Sequence, residues 1–176
     1  MTNKRKYIIA GLIPIIILLS MTILPLRALL LGDEILLETE PYDPRDLFRG
    51  DYVVLNYKIN ELDYAKLPEE LTRNESSYYN QNLYAVMKKV GNYYNVDYVT
   101  LKEPKNRLYL KCNLDYIRNL DKTESNKIAI MSYKLDKYFV PENTGHDLED
   151  MSREGNLVAK IKVYKGYALL TDVNQK

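Results

Sequence analysis

Residues Pro41 to Ile59, PYDPRDLFRGDYVVLNYKI, form the strongest local pattern in the sequence. A turn with two prolines comes first, then Gly50, and then an alternating segment. From Tyr52 onward, β-branched and aromatic residues repeat with a period of two, which predicts a half-buried strand. One face of this predicted strand carries Val53, Leu55, Tyr57 and Ile59.

The charged turn before this strand has two interpretations. Aspartates can accept backbone N–H bonds in turns, arginines can pair with them, and Gly50 can adopt a positive φ without steric cost. In the first interpretation the turn only starts a core strand. In the second, the arginines and carboxylates form a surface site that recognises a partner. The charged residues concerned are Asp43, Arg45, Asp46, Arg49 and Asp51.

Three segments carry a resemblance to a known family. Residues Gly50 to Tyr57 fit GDYxxLxY at every defined position, and the chain resembles the bacterial GDYxxLxY protein family. The run YFVPE at 138–142, followed by Gly145 and Glu149, is similar to a second segment of that family, and the terminal hairpin ending near Leu170 is a third match. The chain departs from the family pattern at its end, where no glycine follows Asp172.

The resemblance implies a membrane-anchored protein that associates with a polytopic membrane protein, and it assigns no biochemical activity. Because the resemblance includes both of the first two segments, we expect them to meet, with Glu142 buried and paired with Arg45 or Arg49. The candidate partner-binding or structural motif comprises Asp43, Arg45, Asp46, Arg49, Gly50, Asp51, Tyr52, Leu55, Tyr57, Tyr138, Pro141, Glu142, Gly145 and Glu149.

The N-terminal segment is typical of a transmembrane anchor. A basic cluster at 4–6 precedes an uncharged run from Tyr7 to Leu26, and twenty helical residues rise about 30 Å, the thickness of the bilayer hydrocarbon core. The positive-inside rule then predicts a cytoplasmic tail at 1–6, an anchor at 7–27, and an extracytoplasmic β-domain at 30–176 in the cell membrane. A cleaved signal peptide is the alternative, although no A-x-A pattern follows the run.

The remaining chain predicts a mainly β fold: an antiparallel sheet forming a small sandwich or open barrel. A first strand is expected at 34–40, and Pro68 with two following acids predicts a short helix. The clearest hairpin joins 83–90 to 93–101, with Met87 opposite Val96 and Ala85 opposite Tyr98. The last hairpin joins 157–164 to 167–173, with Ala159, Ile161 and Val163 buried. One short helix is expected near 144–154.

Composition points away from several function classes. With 25 basic and 24 acidic residues the net charge is +1, so no nucleic-acid partner is expected. A single Cys112, expected to be buried and inert, and a single His146 cannot build a zinc cluster. Asp147, Glu149 and Asp150 are explained by a helix N-terminus, so no metal, cofactor or catalytic residue is predicted.

These observations predict a membrane-anchored extracytoplasmic binding or assembly module rather than an enzyme. Two alternatives remain: a ligand sensor, and an envelope enzyme related in layout to type I signal peptidases, whose glycine-aspartate-strand segment looks like Arg49 to Val54. Those enzymes place a nucleophilic serine a few residues upstream, and residues 33–50 contain no serine. Lys88, Lys89 or Lys111 could supply a base, but a base without its nucleophile is idle.

Overall fold

The computed structural model describes residues 3–41, 52–79, 81–120, 127–139 and 157–176. Short 3₁₀ turns occupy Lys58–Asn60, Tyr64–Lys66 and Glu75–Ser77. The helices and strands of these ranges are α1 (Asn3–Leu31), β1 (Asp33–Glu40), β2 (Tyr52–Val54), β3 (Asn56–Tyr57), β4 (Glu61–Asp63), α2 (Glu69–Arg73), β5 (Leu83–Val90), β6 (Tyr93–Thr100), β7 (Tyr109–Asn119), β8 (Lys127–Ser132), β9 (Lys137–Phe139), β10 (Leu157–Tyr164) and β11 (Tyr167–Gln175).

The predicted mainly β, antiparallel fold with an N-terminal helix is confirmed. One sheet has the order β11-β10-β1-β3, a second has the order β4-β8-β7-β5-β6, and β2 and β9 form a two-stranded ribbon. The chain passes from the first sheet to the second through the turn Lys58–Asn60. At another corner, the Lys111 amide donates to the Gly166 carbonyl at 2.9 Å, which ties β7 to the β10–β11 turn. The sheets therefore curl into an open half-barrel.

The core lies between the two sheets. Alternate residues of β10 face inward as predicted, with Ala159 and Ile161 fully buried and Val163 3% exposed. Burying one such aliphatic side chain contributes about 1.5–3 kcal/mol. The inward residues of the other central strands are Ile35 and Leu37 of β1, Leu83, Ala85 and Met87 of β5, and Leu110, Cys112 and Leu114 of β7.

The central stretch is not the single strand that its alternation predicts. Leu55, Tyr57 and Ile59 are buried as expected, at 3%, 1% and 4% exposure. The extended segment nevertheless splits, because β2 pairs with β9, β3 pairs with β1, and Lys58–Asn60 turns as a 3₁₀ helix. Alternation decides which side chains face the core, but it does not decide which strand each half pairs with.

The β5–β6 hairpin has the predicted turn but only part of the predicted register. Gly91 has φ 62°, and Met87 lies opposite Val96 as expected. The pairing of Ala85 with Tyr98 was wrong, because a bulge between Val86 and Met87 places Val86 opposite Tyr98 instead. A bulge shifts the pairing by one residue, and Tyr98 is 42% exposed.

The β10–β11 hairpin turns through two residues with positive φ, Lys165 at 49° and Gly166 at 74°. That pair of angles is typical of a type I′ turn, whose twist matches that of the strands. A Cβ atom at position 166 would collide with the Tyr109 ring, so glycine is required by space as well as by φ. The turn thus lies directly against the start of β7.

Helix α1 passes into β1 through a single residue, Gly32. Ala28 is fully buried, the Gly32 amide donates to the Ala28 carbonyl at 2.9 Å, and α1 packs against β10 and β11. A Cβ on Gly32 would meet the Ala28 oxygen and lie 3.1 Å from the Val163 backbone. The helix is therefore attached to the sheet by a close junction. Residues Ala10–Leu31 have a mean hydropathy of 2.2 and form a helix that is apolar and long enough to cross a membrane.

The short helix predicted after Pro68 is confirmed as α2. Pro68 occupies the N-cap, and Glu69 and Glu70 lie in the first turn, where carboxylates interact favourably with the helix dipole. Leu71 is fully buried and fastens this short helix to the core. The helix predicted near 144–154 lies outside the described residues.

Candidate functional site

The structure describes four residues of the predicted motif. Leu55 and Tyr57 are described with their side chains, whereas Tyr52 and Tyr138 are described as strand backbone. The other ten lie outside the described residues, and with them the predicted pairing of Glu142 with an arginine: Asp43, Arg45, Asp46, Arg49, Gly50, Asp51, Pro141, Glu142, Gly145 and Glu149.

The β2–β9 ribbon joins the two segments that the resemblance marks. Tyr52 lies opposite Phe139, Val53 opposite Tyr138 and Val54 opposite Lys137, in antiparallel register. Because the strands are antiparallel, the first residue of β2 lies beside the last residue of β9. The chain that enters at position 51 and the chain that leaves at position 140 therefore start from neighbouring backbone positions.

The other ends of the same two segments are also close together. Thr39, near the end of β1, is 1% exposed, and its hydroxyl donates to the Leu157 carbonyl at 2.8 Å. Residues 42–51 follow β1, and residues 140–156 precede Leu157 at the start of β10. The described residues that flank these two segments are thus neighbours both at Thr39 and Leu157 and at Tyr52 and Phe139.

Tyr57 is buried and belongs to a set of hydrogen bonds, here called the brace, that joins residues 55–60 to residues 131–136. Its hydroxyl donates to the Leu135 carbonyl at 2.8 Å, and burial raises the pKa of this phenol, with a smaller contribution from the negative charge of Asp136. The Leu55 amide donates to the Asp136 carbonyl at 2.9 Å. Leu55 and Tyr57 therefore hold the segment immediately before β9 in place.

Two residues that sequence reasoning missed complete this brace. The Tyr133 hydroxyl donates to the Ile59 carbonyl at 2.9 Å, in the opposite direction to the Tyr57 bond. Asn60 accepts from the Tyr57 amide at 2.7 Å and donates to the Met131 carbonyl at 2.8 Å. The only sequence signal for Asn60 was its spacing of three residues after Tyr57, which suits a side chain that caps a turn.

The space beside the brace is small. A cavity of about 60 Å³ is lined by Leu55, Tyr57, Asn60, Tyr133, Leu135 and Asp136. One water occupies about 30 Å³ in the liquid, and small-molecule sites usually span about 300–1,000 Å³. The described part of the motif is therefore suited to structural support and not to holding a ligand of its own.

The side chains considered for catalysis do not converge where the structure describes them. Cys112 is 2% exposed, and burial raises the pKa of its thiol to about 12, as expected of an inert core cysteine. Lys88, Lys89 and Lys111 are exposed, and within the described ranges no hydrogen bond joins a serine hydroxyl to any of them. His146 lies outside those ranges. Among the residues searched, no three potential metal ligands cluster.

Comparison with known proteins identifies the family. A family model described as GDYXXLXY protein matches residues 14–173, from within α1 to β11. No curated protein and no solved structure matches the chain. The match includes the braced strands, both segments attached to the β2–β9 ribbon and the terminal hairpin, and on that extent the chain belongs to the GDYXXLXY protein family.

Proposed function

We propose that this protein is a single-pass membrane protein whose extracytoplasmic β-domain binds and helps to assemble a polytopic membrane partner. The candidate binding segments are 41–57 and 138–149, of which the structure describes residues 41, 52–57 and 138–139. The observation that carries the proposal is the pairing of β2 with β9, which brings together the two segments that carry the family pattern.

The membrane part of the proposal is supported by α1 and by the charge pattern around it. The 22 residues Ala10–Leu31 are mostly exposed in the isolated chain, so most of this apolar surface is not covered by the domain. Lys4, Arg5 and Lys6 lie at the start of α1, before its apolar span, and such clusters remain on the cytoplasmic side. The β-domain would then lie on the outer side.

The described residues that flank the candidate segments lie at the end of β1 away from α1. Asp33 and Thr39 are six residues apart in one strand, and a strand rises about 3.3 Å per residue. Thr39, with Leu157 beside it, is therefore about 20 Å from Asp33. A partner would meet this surface through its extracytoplasmic loops rather than through its membrane helices alone.

The sidedness is tested with a single introduced cysteine. Tyr116 is 51% exposed on β7, whereas the native Cys112 is 2% exposed, so Tyr116→Cys adds an accessible thiol over a low background. A membrane-impermeant maleimide added to intact cells should label this variant and leave the wild type unlabelled. Labelling that appears only after the cells are broken would place the domain in the cytoplasm and refute the proposed topology.

Partner binding is tested by photocrosslinking in cells. Asp136 is exposed and directly precedes β9, so a benzophenone amino acid at this position is at most about 14 Å from position 140. It should crosslink to a discrete membrane protein, whereas the same probe at Tyr116 should not. The same products from both positions, or none at Asp136, would contradict the assembly role.

A further inference from the structure

A second feature of the molecule lies at the opposite end of β1, next to the bilayer. This inference rests on the membrane anchor of the proposed function. Helix α1 ends at Leu31, and Asp33 begins β1 two residues later, a separation of at most about 7 Å. The headgroup layer on each side of a bilayer is about 5–8 Å deep. With Ala10–Leu31 as the membrane span, Asp33 lies at the level of the lipid headgroups.

Asp33 forms one wall of a cleft of about 550 Å³. The other walls are the loop between β6 and β7 and the type I′ turn at Lys165–Gly166. The volume falls in the range of small-molecule sites. Its polar lining includes Asp33, Glu103, Asn106, Arg107, Tyr109 and Lys165.

Three of the charged groups in this cleft form no salt bridge with another described residue: Asp33, Arg107 and Lys165. Glu103 accepts a hydrogen bond from the Tyr109 hydroxyl. The ammonium of Lys165 lies 5.9 Å from the Tyr164 ring centroid. The cleft thus offers a ligand two cations and the Asp33 carboxylate, beside the hydrogen-bonded carboxylate of Glu103.

The next acid along the chain differs from Asp33. Glu34 lies 4.0 Å from Lys160 and 3.6 Å from Lys162 and is therefore paired with both. Tyr164 and Tyr167 flank the turn that closes it, and tyrosines are enriched where proteins meet the membrane interface.

We propose that this cleft binds the headgroup of an aminophospholipid in the outer leaflet. Arg107 and Lys165 contact the phosphodiester, and Asp33 accepts hydrogen bonds from the ammonium. An arginine fork matches phosphate oxygens, and hydrogen bonds between charged groups are about twice as strong as neutral ones. A headgroup with a quaternary amine cannot donate to Asp33, and one without an amine leaves Asp33 facing a phosphate, so the site favours a primary amine.

The test measures lipid that stays bound to the full-length protein. The protein is reconstituted in vesicles with equal amounts of phosphatidylethanolamine, phosphatidylcholine and phosphatidylglycerol, and the retained lipid is identified by native mass spectrometry. The wild type should retain phosphatidylethanolamine, and Arg107→Gln should reduce its occupancy about tenfold, as expected for a lost charge-assisted hydrogen bond. Arg73→Gln is the matched control, because Arg73 is an exposed arginine on α2 outside the cleft.

Lys165→Asn separates binding from folding. Asparagine tolerates positive φ, so the turn at 49° is kept while the charge is lost. This variant should lose the lipid with no loss of stability toward urea. Equal lipid retention by wild type, Arg107→Gln and Lys165→Asn would overturn the headgroup site, and so would displacement of the lipid signal by inorganic phosphate alone. Membrane fractionation is read separately, because a wild-type protein released from the membrane would refute the anchor itself.

Discussion

Replacing Tyr57 by phenylalanine tests whether the motif tyrosine is a structural brace. The substitution keeps the ring and deletes only the hydroxyl, which is bonded to the Leu135 carbonyl at 2.8 Å. Tyr57 is 1% exposed and Leu135 is 5% exposed, so the carbonyl would lose its donor in a place that bulk water does not reach.

The expected cost is about 1–3 kcal/mol, the penalty for a buried polar group left without its partner. This corresponds to about a 5- to 150-fold decrease in the folding equilibrium constant. The adjacent cavity of about 60 Å³ decides where in this range the value falls. A water that enters it and donates to the Leu135 carbonyl would move the cost toward the lower end.

The free energy of unfolding is measured by urea titration of the full-length protein in detergent micelles. The near-ultraviolet circular dichroism of 17 tyrosines and no tryptophan reports the packing of the domain. Tyr116→Phe is the control, because Tyr116 is 51% exposed and a surface change of this kind should alter stability by less than about 0.5 kcal/mol.

The reciprocal bond provides a second check on the same brace. Tyr133→Phe removes the donor to the Ile59 carbonyl, at 2.9 Å, and should cost a similar amount. Because both tyrosines join the same two segments, the double variant should depart from additivity by more than about 0.5 kcal/mol. If Tyr57→Phe unfolds at the same urea concentration as Tyr116→Phe, the hydroxyl does not brace the fold and the reasoning is wrong.

Three further outcomes are expected. Gly32→Ala should broaden the spin-label distance distribution between α1 and the β-domain, because the added Cβ collides with backbone atoms. Gly11→Ala is the control, because a Cβ there has nothing within 4 Å. Equal distributions for the two variants would contradict the close junction. The stability advantage of the wild type over Cys112→Ala should fall by about 1.4 kcal/mol per pH unit from pH 9.0 to about 12. The reason is that the thiol stays neutral in the folded protein and ionises in the unfolded one. A pH-independent difference in urea titrations would contradict a buried neutral thiol. Thr39→Val should cost about 1–2 kcal/mol in the same titrations by removing the donor to Leu157, and a neutral effect would show that this bond does not secure the segment ends.

The alternation of residues was a reliable guide to which side chains are buried. Ala159, Ile161 and Val163 were predicted to face the core, and they do, because period-two alternation follows directly from strand geometry. The same logic placed Cys112 inside. The apolar N-terminal run predicted a helix of membrane-spanning length, since length and hydropathy are local properties.

Strand pairing and bulges could not be predicted from the alternation of residues. The stretch after Tyr52 reads as one strand, but it divides at Leu55, whose amide is bonded to the Asp136 carbonyl, 81 residues further along the chain. The bulge after Val86, which exposes Tyr98, likewise depends on contacts between strands. Choices of this kind are made by residues distant in sequence, so no local pattern contains them.

The candidate site was also predictable only in part. Its residue types and the resemblance of two separate segments could be recognised in the chain, but their adjacency depends on the β2–β9 pairing. No local sequence pattern indicated the cleft beside α1, because Asp33, Arg107 and Lys165 come from three segments that are distant in sequence. Local patterning is sufficient to say which faces are apolar, whereas only the packed sheets bring charges from separate turns to one place.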